Sequence, residues 1–259
     1  MDANASPVSV DAAPTPAWRK LPEALRVNFL RLLLLVIFLG FWEYASGPLI
    51  ALFFVSSPSK ILARLWGWIS GGQLFFHMGI TAAEAALGFF FGSLSGIAVG
   101  VLLGRREFLA KLLDPFILTI YSLPKVALAP LFILWIGIGM DMKVIFAATI
   151  VFFLVFLNTY TGVRNVSKEL VSILKLMGAG ERQVLQKVVL PSAITWVFAG
   201  LRISVPYALI GAIVAELAAG AAGQGTGLAF RITEAGFRLN IPRMFAALTL
   251  ISLTGIAIF

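Results

Sequence analysis

Apolar blocks long enough to cross a bilayer alternate with short polar connections along this chain. A spanning helix needs about 20 mainly apolar residues, and six segments approach or exceed that length: 28–46, 80–103, 112–137, 143–163, 192–219 and 241–259. The longest polar-rich interval runs from Arg164 to Pro191 and holds Arg164, Lys168, Glu169, Lys175, Glu181, Arg182 and Lys187. Its apolar positions keep helical order, because Val166, Leu170, Ile173, Leu174 and Met177 fall at i, i+4, i+7, i+8 and i+11. Gly178-Ala179-Gly180 then ends that helix. A second short helix is predicted with Val184, Leu185, Val188 and Val189 on one face, until Pro191 removes a backbone donor and resets the chain direction. Between the first two spans, Ile61, Leu62, Leu65, Trp66 and Ile69 share a face beside Lys60 and Arg64, which predicts a helix lying in the membrane interface over 58–72.

Composition turns these blocks into membrane spans. Apolar residues make up 60% of the 259, charged residues 12%, and the mean hydropathy is +0.98, whereas a soluble domain carries roughly 45–50% apolar and about 25% charged residues. The reading is an all-α membrane protein with six transmembrane helices. There is no cysteine and a single histidine, His77, which excludes disulfide frameworks and thiolate or multi-histidine metal sites. No metal site is expected. The net charge of +8 needs only the anionic cytoplasmic leaflet and the positive-inside rule, not nucleic acid. With the N-terminus inside, inner segments hold 12 Lys and Arg against 6 in outer ones, so both termini are expected in the cytoplasm. Residues Met1 to Leu25, rich in Ala, Pro, Asp and Ser, read as a retained disordered tail without a cleavable signal. The expected organisation is a tail over 1–27 and a membrane domain over 28–259, with the polar segment 164–191 inside it.

Three features within the spans carry chemistry or packing. Gly88, Gly92, Gly96, Gly100 and Gly104 recur every fourth residue, a stripe suited to close helix packing against a partner in this chain or another copy. Pro124 and Pro130 flank Lys125 in the third span, and proline in a spanning helix frees carbonyls that protein or a water-filled cavity must cover. Ionisable groups at Glu43, Glu84, Lys125, Arg202 and Glu216 are costly in lipid and belong in the bundle interior, a cavity or an interface. Arg202 and Lys125 are the deep ones. The other three lie nearer helix ends, where an interfacial place is an equal reading. After Glu216, Gly220, Gly223, Gly225 and Gly227 suggest a re-entrant or hinge loop. No Gly-rich loop ends in Gly-Lys-Ser/Thr, so ATP hydrolysis by this chain alone is not expected.

Four stretches together carry a family likeness: Pro58-Ser59-Lys60; Leu87-Gly88-Phe89 through Leu103-Gly104; Leu123-Pro124-Lys125 through Ala129-Pro130-Leu131, followed by Leu134-Trp135-Ile136-Gly137; and Gly178 through Leu190-Pro191, Gly200-Leu201-Arg202 and Ala215-Glu216 to Gly225-Thr226-Gly227-Leu228. The sequence resembles the permease subunit of bacterial ABC importers, in the binding-protein-dependent nitrate, sulfonate and taurine group. That resemblance implies a type I importer fold, a location in the bacterial inner membrane, and a homodimer that forms the pathway for a small, anionic solute. It also implies two partners, an ABC ATPase carrying ATP-Mg and an extracytoplasmic solute-binding protein, with no cofactor bound by this chain. The implied ATPase-coupling residues are Leu170, Leu174, Met177, Gly178, Ala179, Gly180, Leu190 and Pro191. The implied pathway residues are Pro124, Lys125, Pro130, Arg202 and Glu216. Members carry Glu-Ala-Ala where this chain has Ser172-Ile173-Leu174, and a basic tail beyond the sixth span, inside which Phe259 falls.

Other readings of the same residues bring different expectations. Lys168, Lys175 and Arg182, spaced by seven, also suit a helix resting on lipid headgroups. An ion-coupled secondary transporter or channel would use broken helices and buried charge too, but needs no long inner projection. An intramembrane enzyme needs a nucleophile with a base, or paired carboxylates. His77 falls outside the predicted spans, and no two acids share a core helix face.

Overall fold

A computed structural model describes residues 22–221 and 225–258. Residues 1–21 of the tail expected over 1–27, together with Gly223 and Phe259, lie outside the described residues, and 23–27 of that tail instead form the start of the first helix. The chain divides into two compact units, one ending at Ser59 and one beginning at Lys60. In the first, α1 (Glu23–Ala45) is a spanning helix whose large apolar side chains are exposed, as a lipid-facing helix requires. At its end the Glu43 carboxylate accepts from the Ser59 backbone N–H at 2.9 Å and the Ser59 hydroxyl at 2.7 Å. Glu43 therefore caps the opening turn of α2 (Pro58–Ser70), as orphan helix donors demand.

The second unit is built on α3 (Gln73–Gly104), α6 (Met140–Arg164) and α9 (Leu190–Ala221). In lipid, helix association gains little from apolar burial and depends on close backbone approach. The glycine stripe on α3 provides it, and the partner is α6 of the same chain. A Cβ on Gly88, Gly92, Gly96, Gly100 or Gly104 would come within 2.6, 2.5, 2.9, 2.7 and 2.8 Å of α6 atoms, respectively. The α6 and α9 contact uses three more glycines. A Cβ on Gly162 would meet Trp196 at 2.5 Å, one on Gly200 would meet Asn158 at 2.8 Å, and one on Gly211 would meet Ala147 at 2.8 Å. Ala85, Val151, Val155, Ala208, Leu209 and Ala212 fill the centre.

The third predicted span is not one helix. It consists of α4 (Glu107–Ser122), a 3-10 turn over Lys125–Leu128 and α5 (Ala129–Ile136), bent by 78°. Pro124 stands at the break and Pro130 sits in the first turn of α5, where its missing N–H costs nothing. A different correction applies at Pro191. After α7 (Lys168–Leu176), α8 (Glu181–Val184) runs through a π-helical turn, Leu185–Val189, straight into α9, giving 41 helical residues from Glu181 to Ala221. The wide turn, in which Leu190 N–H bonds Leu185 O five residues back, makes room for the proline ring without ending the helix. Two further elements complete the unit: α10 (Leu228–Phe237), which hydropathy did not suggest, and α11 (Ile241–Ile258), long and apolar enough to be the sixth expected span.

Replacing Gly92 by Ala should destabilise the chain by about 1–3 kcal/mol through overpacking. Gly67→Ala, on the open face of α2, should be neutral or slightly stabilising. Thermal unfolding in detergent compares the two. Equal midpoints would mean that the glycine ridge does not set the spacing of α3 and α6.

Candidate functional site

At the end of the bundle where α3 begins and α9 finishes, three helices converge on buried charge. Lys143 in the first turn of α6 places its Nζ 2.8 Å from Oε1 of Glu84 on α3, and the two side chains are 2% and 0% exposed. The same Nζ donates to the Thr226 carbonyl at 2.7 Å. Glu216 on α9, also fully buried, accepts from the Thr81 hydroxyl at 2.6 Å and from the Ala229 backbone N–H at 2.6 Å. Thr81 in turn accepts from Leu228 N–H at 2.9 Å. The network therefore fastens the backbone from Thr226 to Ala229 to α3, α6 and α9. Gly227 is required where it stands, with φ +111° and a would-be Cβ only 1.9 Å from the Glu216 carboxylate.

His77 also belongs to this end. The hydropathy pattern put it outside the spans, but α3 starts at Gln73 and His77 is buried within it. Gly227 N–H points to its Nδ1 at 3.2 Å and Arg231 Nε to its Nε2 at 2.9 Å. A neutral imidazole has one acceptor nitrogen, so the ring accepts from only one of them at a time. Glu84 and Glu216, read as possible interfacial groups, are instead brought together inside the fold. Lys143, which the charge count assigned to an outer connection, is the cation that accompanies them. Among the described residues, no cluster of three or more His, Cys, Asp or Glu side chains is arranged to hold a metal ion.

At the opposite end, α7 and α8 project beyond α3 and α6. Ser167 caps α7 by accepting from Leu170 N–H at 3.2 Å. Its hydroxyl also donates to Glu169 at 2.5 Å, which holds that carboxyl below the usual carboxylate range. Gly178, at φ +83°, supplies the left-handed residue that turns the chain toward α8. Glu181 bridges Lys175 on α7 at 2.9 Å and Arg105 beyond α3 at 3.2 Å. Val171, Leu174 and Ala179 pack with Val163, Val184, Val189 and Ala193. Leu170 and Ile173 face outward, and at the tip Leu176 and Met177 are 88% and 79% exposed. Leu174 and Ala179 thus serve the internal packing of the segment, while Leu176, absent from the sequence-based set, stands at its tip. Gly180 is the N-cap of α8, and Leu190 and Pro191 are exposed on α9.

The remaining candidate residues are separate from both ends. Lys125 donates to the Tyr121 carbonyl at 2.8 Å and lies 4.8 Å from the ring centres of Tyr121 and Phe153, a cation–π arrangement beside the break at Pro124. Arg202 is exposed on α9 among Phe198, Ile203 and Tyr207. Glu216 does not join them, since both of its oxygens are engaged in the buried network.

Spanning helices packed through glycine, a further broken span, and a rigid helical projection joined directly to a span define a multi-pass membrane protein. The chain belongs to the binding-protein-dependent transport system inner membrane component family, whose model matches residues 88–259. It is therefore a permease subunit of the inner membrane. Over 92% of its length it is 30% identical to a Bacillus subtilis (strain 168) protein, SsuC, described as an aliphatic sulfonates transport permease, covering 86% of it. It is 31% identical to the riboflavin transport system permease protein RibX of Chloroflexus aurantiacus, with 87% and 83% covered. To the taurine transport system permease protein TauC of Escherichia coli K12 it is 29% identical, with 85% and 80% covered. Its fold is similar to that of a chain in the inward-facing MetNI methionine ABC transporter, with a TM-score of 0.57, 20% identity, and 70% and 89% of the two chains covered.

Lys143→Met should cost about 3–5 kcal/mol, because it strands a buried carboxylate. Adding Glu84→Leu should recover most of that loss. A double-mutant cycle on unfolding midpoints in detergent measures the coupling, and additive effects would show that the pair does not act as a unit.

Proposed function

We propose that this chain forms the solute pathway of an ATP-driven importer and draws its energy from a separate ATPase seated on α7 and α8. The observation that carries this reading is the outward pair Leu176 and Met177, held in place on a helix whose other side is packed. An exposed apolar tip on a segment that also carries Lys168, Lys175 and Arg182 suits insertion into a groove on a partner. Since α8 continues into α9, a push on the tip is transmitted to a spanning helix rather than absorbed in a loop. The charge distribution supports a cytoplasmic position for this end and for both termini. On this reading ATP-Mg is held by the ATPase, this chain binds no cofactor and catalyses no reaction, and a solute-binding protein docks at the α10 end.

A second copy of the chain completes the pathway as a homodimer. The relatives named for sulfonates and taurine and the cations Lys125 and Arg202 support a small anionic solute of the sulfonate class. The break of the third span at Pro124, with Pro130 opening the helix that follows, gives the pathway wall a non-helical segment, which is tolerated in a membrane where backbone lines a cavity.

Leu176→Asp with Met177→Asp should leave the unfolding midpoint unchanged and weaken co-purification with the ATPase by roughly 30-fold, the effect of losing a hot spot of about 2 kcal/mol. Unchanged capture would remove α7 as the docking element. In the same complex, Arg202→Ala should assemble normally and lose most taurine or sulfonate uptake. Normal uptake would take Arg202 out of the pathway.

A further inference from the structure

Beside the buried network, but facing outward from it, lies a pocket of about 220 Å³ lined by Trp68, Gln73, Arg231, Glu234, Arg238 and Arg243. Three guanidinium groups share it with a single carboxylate. Both oxygens of Glu234 are taken, one by Arg231 at 2.6 Å and the other by Arg238 at 3.1 Å. Burial works to raise the Glu234 carboxyl, but the Arg231 hydrogen bond and the charges of Arg231, Arg238 and Arg243 hold it below its ordinary range. It therefore stays a single negative charge. Arg231 spends its other nitrogens on His77 at 2.9 Å and Gln73 at 3.4 Å. The side chain of Arg243 has no such partner among the described residues, and its buried Nε makes no hydrogen bond.

A guanidinium presents five N–H donors in a planar fork that fits a phosphate or sulfonate. Arg238 and Arg243 keep most of theirs uncommitted. The cavity is roomy enough for one tetrahedral oxyanion and part of its hydration. On either side of Arg238 in the chain, Phe237 and Leu239 are exposed apolar residues. A guanidinium with donors to spare, next to exposed apolar side chains, matches the boundary between headgroups and acyl chains.

We propose that this pocket is a binding site for one tetrahedral oxyanion, for which the phosphate of a phospholipid headgroup is the source that Phe237 and Leu239 favour. The site is separate from the solute pathway and does not depend on the transport reading. Its occupant would neutralise the excess charge around Glu234 and hold α10 and the start of α11 at the membrane surface.

The full chain, delipidated in detergent, is titrated with phosphatidylglycerol or with diacylglycerol of the same acyl length, and bound lipid is counted by native mass spectrometry. In parallel, its unfolding midpoint is followed with inorganic phosphate against chloride at equal ionic strength. The expected result is a single tightly held phosphatidylglycerol, no comparable diacylglycerol, and affinity about tenfold weaker in both Arg243→Gln and the rim variant Arg238→Gln. Stabilisation by free phosphate alone, lost in the same variants, would support the oxyanion site with a soluble ion as its source. Equal retention of the two lipids with no phosphate effect, or binding unchanged in both variants, would overturn the proposal. So would loss of binding-protein docking in the variants while neither phosphate source binds, which would assign the arginines to a protein partner.

Discussion

The close approach of α3, α6 and α9 is the constraint on which the rest of the second unit depends. Lipid gives helices little reason to associate through apolar burial, so their adhesion comes from backbones near enough for dense van der Waals contact. Eight glycines across the two interfaces make that possible, and at each one an added methyl group would intrude on a neighbouring helix. This spacing also decides the chemistry at the α10 end. Glu84 and Lys143 meet at 2.8 Å because their helices are already close, and Glu216 reaches Thr81 across 135 residues of sequence for the same reason. Charges that would be prohibitive in hydrocarbon are tolerated here because Lys143 pairs with Glu84 and neutral donors hold both oxygens of Glu216.

The two ends of this core do different things with the same rigidity. At the α10 end it fixes a loop, because the polar side chains of three helices are spent on the backbone from Thr226 to Ala229. At the α7 end it supports a helical projection that is continuous with a span. Glu181 ties α7 to the end of α3, and the helix that begins at Glu181 does not stop before Ala221. The π-helical turn ahead of Pro191 matters here, since a chain reversal at the proline would have uncoupled the projection from the span.

Much of this was legible in the sequence, and the parts that were not share a cause. Spans follow from local apolar runs, the α3 ridge from a strict four-residue period, and α7 with its end at Gly178 from 3.6-residue order. Each is a pattern within one helix. The buried network is assembled from residues far apart in the chain, so Lys143 looked like a loop cation and Glu84 and Glu216 looked like interfacial acids. Gly162, Gly200 and Gly211 sit in packing roles without forming a repeat. Pro191 followed the ordinary rule for helix ends until the wide turn before it relieved the clash. Among the coupling candidates, Leu174 turned out to face inward because α7 has apolar residues on two sides, a distinction that periodicity over nine residues cannot make.

In the proposed role this permease moves solute only when an outside ATPase drives it through α7. Vesicles containing the chain alone, and vesicles containing it with its ATPase and binding protein, can be loaded with ATP or given an ion gradient while uptake of a labelled sulfonate is followed. Uptake is expected only in the complete complex with hydrolysable ATP, and none from the chain alone under any gradient. Solute accumulation by the unaided chain would contradict it.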